Sequence, residues 1–168
     1  IVGSCLWSRV PVEAADKVRM FLADYHKIEI DSNTESDETK RRLITPQDTT
    51  SWFEDEFEFI REQIEDAEAR GDRIIVLSHH SPIKEYGCSN PKYWNEETGC
   101  AFSTDLREFV SDHSIDVWAY GHTHWFHDMD FNGSRVVSNP HGYPPKPNDS
   151  TYDHRKDPKK VYKAAFII

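Results

Sequence analysis

Apolar residues recur along the chain at two spacings, which predict two kinds of element. In residues 14–25, and again in residues 50–69, large apolar side chains return every three or four positions, and this is the spacing of an amphipathic helix. Short unbroken apolar runs are typical of buried strands. Strands are expected at residues 1–6, 74–77, 115–120 and 161–168. The alternation of strand and helix predicts an α/β fold with buried sheets.

Local signals mark the ends of these elements. Asp48 or Thr49 is a suitable N-cap for the second helix. Asn132-Gly133 is a strong signal for a two-residue turn, and it predicts a hairpin within residues 125–137. The helix of residues 50–69 is therefore expected to lie outside a sheet that ends in this hairpin.

Charge and composition exclude several classes of protein. The 168 residues include 20 basic and 30 acidic side chains, for a formal charge of −10. This excess argues against non-specific binding of nucleic acid, which depends on neutralising phosphates with Lys and Arg. No apolar run approaches the roughly 18–20 residues that a membrane-spanning helix requires. The charged stretch at residues 29–42 is expected to be a solvated loop.

Three cysteines are too few to indicate a disulfide framework. A disulfide between Cys88 and Cys100 would close the loop between them and leave Cys5 unpaired. Three free thiols are the favoured expectation.

The histidines are unevenly placed along the chain. His79 and His80 follow the apolar run at residues 74–77, and His122 and His124 follow the run at residues 115–120. In α/β sheets, ligands bind beyond the carboxyl ends of the strands, where both clusters are expected. In an extended backbone His122 and His124 would project to the same side. Because neutral imidazole binds zinc, manganese and iron, the pattern indicates a metal site.

Other catalytic motifs are missing from the sequence. It contains no G-x-S-x-G, no P-loop and no G-x-G-x-x-G. Ser78-His79 could suggest a serine hydrolase, but adjacent residues on a strand point to opposite faces.

Two of the histidine motifs carry a family resemblance. V-L-S-H-H-S-P (Val76 to Pro82) and Y-G-H-T-H (Tyr120 to His124) resemble the last two metal-binding motifs of the calcineurin-like metallophosphoesterases. Further stretches resemble a bacterial and fungal branch of that family in the same order. They are L-W-S (6–8), L-I-T-P-Q-D-T (43–49), S-T-D-L (103–106) and V-V-S-N-P-H-G-Y-P (136–144). The likeness covers almost the whole chain.

The resemblance implies a fold, two metal ions and a reaction. The fold is a sandwich of two mixed sheets flanked by helices, with a dinuclear centre of Mn, Fe or Zn ions at the strand ends. Metal-bound hydroxide would attack the phosphorus of a phosphate ester, while both ions stabilise the developing charge. By the same resemblance, His79 and His122 are ligands of one ion and His124 is a ligand of the other. His80 would stand beside the bound phosphate.

The sequence also departs from the family pattern. The family has an upstream D-x-H, a G-D-x-x-D that supplies a bridging carboxylate, and a G-N-H, and this sequence contains none of them. Residues 1–168 are therefore interpreted as a single partial domain, the C-terminal half of the family domain. The chain is expected to be a fragment or a processed product of a longer protein. No catalytic residue is assigned within it.

Two hypotheses for function follow. In the first, the parent protein is a metal-dependent phosphoesterase, and the isolated chain is weakly active or inactive without the N-terminal half or a second copy. In the second, the chain is a non-catalytic remnant that serves as a binding or toxin-like module. A cytoplasmic location is favoured, although the sequons Asn132-Gly133-Ser134 and Asn148-Asp149-Ser150 leave secretion open. No membrane partner is expected, and a nucleic-acid partner is disfavoured.

Overall fold

The computed structural model describes residues 1–32, 40–84, 87–94 and 96–140. In these ranges the chain forms seven strands and three α-helices. They are β1 (Val2–Gly3), α1 (Ala15–Phe21), β2 (Glu29–Ser32), β3 (Lys40–Leu43), α2 (Pro46–Arg70), β4 (Ile75–Leu77), α3 (Arg107–Asp112), β5 (Val117–Tyr120), β6 (His127–Phe131) and β7 (Ser134–Ser138). Short 3₁₀ helices cover Val12–Ala14, Ala23–His26, Pro91–Tyr93 and Glu97–Ala101. The strand expected at residues 161–168 lies outside the described residues.

Five strands form one mixed sheet, in the order β1-β4-β5-β7-β6. The pairs β1–β4, β4–β5 and β5–β7 are parallel, whereas β6 runs antiparallel to β7. Val76 pairs with Trp118, which in turn pairs with Val136, so a row of fully buried side chains crosses the middle of the sheet. The expected hairpin is confirmed, with Asn132 and Gly133 both at positive φ in its turn. The chain is an α/β protein with a largely parallel sheet.

The long helix α2 covers this sheet, as its apolar stripe predicts. Phe53, Ile60 and Ile64 are fully buried and share one core with Val76 and Trp118 of the sheet. Burying large apolar side chains contributes roughly 1.5–3 kcal/mol each before the entropy cost of ordering them. The same core holds β4 and β5 in the register that brings their carboxyl ends together.

Helix α2 begins earlier than the sequence predicts. Its N-cap is Thr45, whose side chain accepts a hydrogen bond from the backbone N–H of Asp48, and the Asp48 carboxylate accepts one from the Thr45 N–H. The expected cap at Asp48 or Thr49 is wrong because Asp48 occupies the third helical position of a capping box. Pro46 fits the first turn, where no backbone donor is needed.

The charged stretch at residues 29–42 is not simply a solvated loop. Strands β2 and β3 pair antiparallel in a separate two-stranded ribbon. Arg41 of β3 lies 3.8 Å from Glu29 and 3.7 Å from Asp31 of β2, and Ile30 packs on a second core. Opposite charges across the strands and one partly buried apolar side chain therefore favour pairing, which the charge run alone does not indicate.

This second core positions the segment after α1. Val18, Leu22, Tyr25 and Ile44 are buried together, and the Tyr25 hydroxyl hydrogen-bonds with Thr49 Oγ1 over 2.9 Å. Residues 21–24 are thereby held against the carboxyl ends of the main sheet, where they line a cleft.

The cysteines are as expected. Cys5, Cys88 and Cys100 are free thiols, so no disulfide closes the loop between the last two.

Within the described ranges, no helix combines the length and apolar character needed to span a bilayer.

Candidate metal centre

The histidine pair after β4 is held by backbone hydrogen bonds from two neighbouring segments. The N–H groups of His79 and His80 both donate to the carbonyl oxygen of Cys5, at 3.0 and 3.2 Å. The His79 carbonyl accepts a 3.0 Å bond from the N–H of Gly121. The segments that follow β1, β4 and β5 are therefore joined, and the two histidine motifs meet at one edge of the sheet, as predicted.

The backbone of the second motif is not extended. His122 and His124 have φ angles of 53° and 48°, in the left-handed region that side chains other than glycine rarely adopt. The extended geometry expected for these two residues is therefore wrong. Such conformations cost roughly 1–3 kcal/mol each and cluster at functional sites. The sharp turn directs the His122 ring toward the pair that follows β4.

Three imidazoles converge at this edge of the sheet. The ring nitrogens of His79, His80 and His122 that could bind metal all lie within 4.8 Å of one another. The rings of His80 and His122 stack with centroids 4.0 Å apart, and the His79 and His122 centroids are 4.9 Å apart. His124 lines the same cleft as His79 and His122, but it stands outside this group of three. The expected ligands His79 and His122 are thus together, joined by His80 rather than by His124.

Hydrogen bonds assign a tautomer to the His122 ring and leave one nitrogen of the His80 ring unsatisfied. His122 Nε2 lies 3.2 Å from the Ala101 carbonyl. A carbonyl only accepts, so neutral His122 carries its proton on Nε2 and presents a lone pair at Nδ1. His80 is 2% exposed and its Nδ1 lies 2.8 Å from Ser8 Oγ, whereas its Nε2 is buried without a hydrogen-bond partner. A buried, unsatisfied ring nitrogen beside two other imidazoles fits a divalent metal, or a group that is itself bound to that metal.

Burial also keeps these rings neutral. It lowers the pKa of His80 well below its usual range, and the nearby His122 and His79 rings lower it further. Burial is the main cause that lowers the pKa of His122 to about 4, and it also lowers the pKa values of His79 and His124. Because metals bind neutral imidazole, the site has its ligand lone pairs available at neutral pH.

The cluster forms one side of a cleft of about 500 Å³. Besides the histidines, the cleft is lined by residues from separate segments of the chain: Phe21, Leu22, Ala23, Asp24, Asn90, Lys92, Tyr93, Phe102, Thr123 and Trp125. The Asp24 carboxylate raises the pKa values of His79 and His122, which partly offsets the effect of burial. Sequence reasoning missed this lining because no motif or spacing marks it; only the fold brings these segments together.

Comparison with known proteins assigns the family. The family model for the calcineurin-like phosphoesterases matches residues 6–126. Since this range covers well over half of the sequence and includes both histidine motifs, the chain belongs to the calcineurin-like phosphoesterase family. The resemblance of the motifs and the expected fold class are thereby confirmed.

An uncharacterized protein of Acanthamoeba polyphaga mimivirus is also similar to this chain. The two are 30% identical over 148 residues, which cover 84% of this chain and 49% of the viral protein. The chain therefore spans about half the length of the curated relative that it matches. No solved structure matches. Metal-dependent phosphoesterase chemistry, divalent metals and phosphate-ester substrates are the properties that the family suggests for this chain.

Proposed function

We propose that this chain supplies the imidazole half of a divalent metal centre in a metal-dependent phosphoesterase. The observation that carries the proposal is the convergence of His79, His80 and His122 at the ends of β4 and β5, in a chain of this family. His79 and His122 hold one ion, and His124 belongs to a second. His80 faces the bound phosphate.

Each of these side chains has a part in binding. A divalent metal, when bound, supplies charge that polarises a phosphate ester and lowers the pKa of water. The bond from His122 Nε2–H to the Ala101 carbonyl fixes its ring with Nδ1 free for the ion. If the Ser8 hydroxyl donates to His80 Nδ1, His80 keeps its proton on Nε2 and can donate it to a phosphate oxygen.

A carboxylate is absent from the close group of three histidines, although Asp24 lines the same cleft. Within the described ranges, the group of metal-binding side chains consists of histidines alone. The family motif that would supply a bridging carboxylate, G-D-x-x-D, is not in this sequence. The isolated chain is therefore expected to bind metal and to turn over substrate weakly. A binding module without catalysis is the competing function.

Titration of the 168-residue chain with Zn²⁺ or Mn²⁺ tests the metal site. We expect saturable binding by calorimetry that weakens at least tenfold in His79→Ala and in His122→Ala. His26 is exposed and lies outside the group, so His26→Ala is the matched control and should bind like the parent chain. No binding, or equal binding by all the variants, would contradict the proposed site.

Hydrolysis of p-nitrophenyl phosphate separates the two functions. We expect slow turnover that requires added metal and is lost in His122→Ala. Metal binding without any turnover would favour the binding module. Turnover that persists unchanged in His122→Ala would show that the activity arises elsewhere, including from a contaminating phosphatase.

A further inference from the structure

Three aromatic side chains form a wall beside the histidine cluster. Phe21 ends helix α1, Tyr93 ends a 3₁₀ helix, and Phe102 follows another. The Tyr93 and Phe102 rings are 4.9 Å apart between centroids, and Phe21 lies 6.1 and 6.2 Å from them in edge-on contacts. The Phe102 ring is 5.4 Å from the His122 ring. The aromatic wall therefore lies next to the candidate metal centre, within the same cleft.

The wall is apolar, incompletely covered and close to a cation. Phe21 is 50% exposed, although large apolar side chains gain free energy when they are covered. Lys92 places its Nζ over the Tyr93 ring, 4.5 Å from the ring centre, so a positive charge lies against this aromatic surface. An uncovered aromatic surface next to an ammonium group suits an anionic ligand with a planar ring.

We propose that the aromatic wall binds the aromatic group of a phosphate ester whose phosphate lies at the histidines. This inference rests on the proposed phosphoesterase function and narrows its substrates to esters of an aryl or nucleobase-bearing alcohol. Phe102 lies next to His122, so a ring attached to the phosphate meets the wall directly. Aromatic rings stack or meet edge to face, and such contacts add to the simple burial of area. An aliphatic ester of the same size gains only the free energy of burying its apolar surface.

Phosphonates test the binding proposal separately from the hydrolysis reaction, because their carbon–phosphorus bond is not hydrolysed. Calorimetry on the metal-loaded 168-residue chain compares phenylphosphonate with cyclohexylphosphonate and methylphosphonate. We expect phenylphosphonate to bind about tenfold more tightly than cyclohexylphosphonate, which corresponds to about 1.4 kcal/mol. A phosphonate analogue of AMP distinguishes the two sources of the ring. Tighter binding of this analogue than of phenylphosphonate assigns a nucleobase, and weaker binding assigns an aryl group.

Variants of the wall make the test specific. Phe21→Leu and Tyr93→Leu should remove most of the preference for phenylphosphonate over cyclohexylphosphonate. Met20→Leu is the matched control, because Met20 is exposed on the same helix and does not line the cleft. Lys92→Met should weaken all the phosphonates, whereas Lys27→Met, at an exposed position outside the cleft, should not.

The outcomes separate this inference from the proposed function. Equal affinity for phenylphosphonate and cyclohexylphosphonate, with methylphosphonate still bound, would overturn the aromatic proposal and leave the phosphoesterase proposal standing. If the metal-loaded chain binds none of the phosphonates, the cleft does not accept phosphate groups, and both proposals fail.

Discussion

The imidazole rings of His80 and His122 stack in the cleft, with centroids 4.0 Å apart and ring planes 19° apart. Two rings at this distance repel each other when both are protonated, and burial disfavours the charged form of each. The folded chain therefore holds both rings neutral at a pH where solvated histidines are protonated.

This pair predicts that acid lowers the stability of the fold. Because the folded pKa of His122 is about 4, below the ordinary value of 6.5, the unfolded state binds more protons between these pH values. The free energy of unfolding should therefore fall as the pH drops from 6.5 to about 4. Urea denaturation at several pH values measures it. His122→Gln should weaken the pH dependence; an identical slope in His122→Gln would refute the prediction.

Ser78 links the core of the sheet to the histidine pair. Its hydroxyl accepts a 2.9 Å hydrogen bond from the indole N–H of buried Trp118 and donates a 2.7 Å bond to the His80 carbonyl. Ser78→Ala should leave both groups without a partner and cost about 1–3 kcal/mol of unfolding free energy. Chemical denaturation measures this cost. Ser51→Ala, on the exposed face of α2, is the control and should change stability little. A loss of unfolding free energy below about 0.5 kcal/mol in Ser78→Ala would contradict the link.

Gly3 lets β1 approach β4 closely. A Cβ at this position would lie 2.6 Å from the backbone oxygen of Leu77, which cannot move without disturbing the parallel pair. Gly3→Ala should therefore destabilise the fold by about 1–3 kcal/mol, and thermal unfolding should show a lower Tm. Ile1→Ala, at a 90% exposed position two residues earlier, is the control. An unchanged Tm in Gly3→Ala would show that this edge of the sheet tolerates a side chain.

Asp48 stabilises the start of helix α2. Its carboxylate accepts two 2.7 Å bonds from the Arg42 guanidinium as well as the bond from the Thr45 N–H. Asp48→Asn removes the charged partner of Arg42 and weakens the capping box with Thr45, so it should lower the free energy of unfolding by about 1 kcal/mol. Asp66→Asn, exposed on the same helix, should not.

The same carboxylate adds a pH signature. The Arg42 guanidinium, and then the Thr45 hydroxyl and N–H, hold the pKa of Asp48 well below its usual range. Its contribution is present above pH 4 or so and is lost as the pH falls through the lower folded pKa. The stability difference between the parent chain and Asp48→Asn should therefore shrink in strong acid. A difference that stays constant with pH would count against this assignment.

Much of the fold was predictable from local pattern. The apolar stripe of residues 50–69 predicted α2, and the runs at residues 74–77 and 115–120 predicted β4 and β5, because hydrophobic periodicity reports which face of an element is buried. Asn132-Gly133 predicted the β6–β7 hairpin, because few dipeptides favour its tight turn. The positions of the histidines after two buried strands likewise predicted that His79 and His122 meet, since parallel strands end at one edge, although His124, expected with them, stands outside the group of three.

Other features depend on contacts between distant residues. The β2–β3 ribbon forms by pairing across a charged stretch, and the left-handed turn at His122 forms where it meets the residues after β4. The place of His80 depends on burial against Ser8, 72 residues earlier in the chain. Phe21, at the end of α1, and Lys92, in a 3₁₀ helix, reach the cleft from separate segments that only the packed cores position. A local pattern determines which face of an element is buried, but not which distant side chains share a site. That choice is made when the elements pack, because the free energy of these contacts is gained only in the assembled fold.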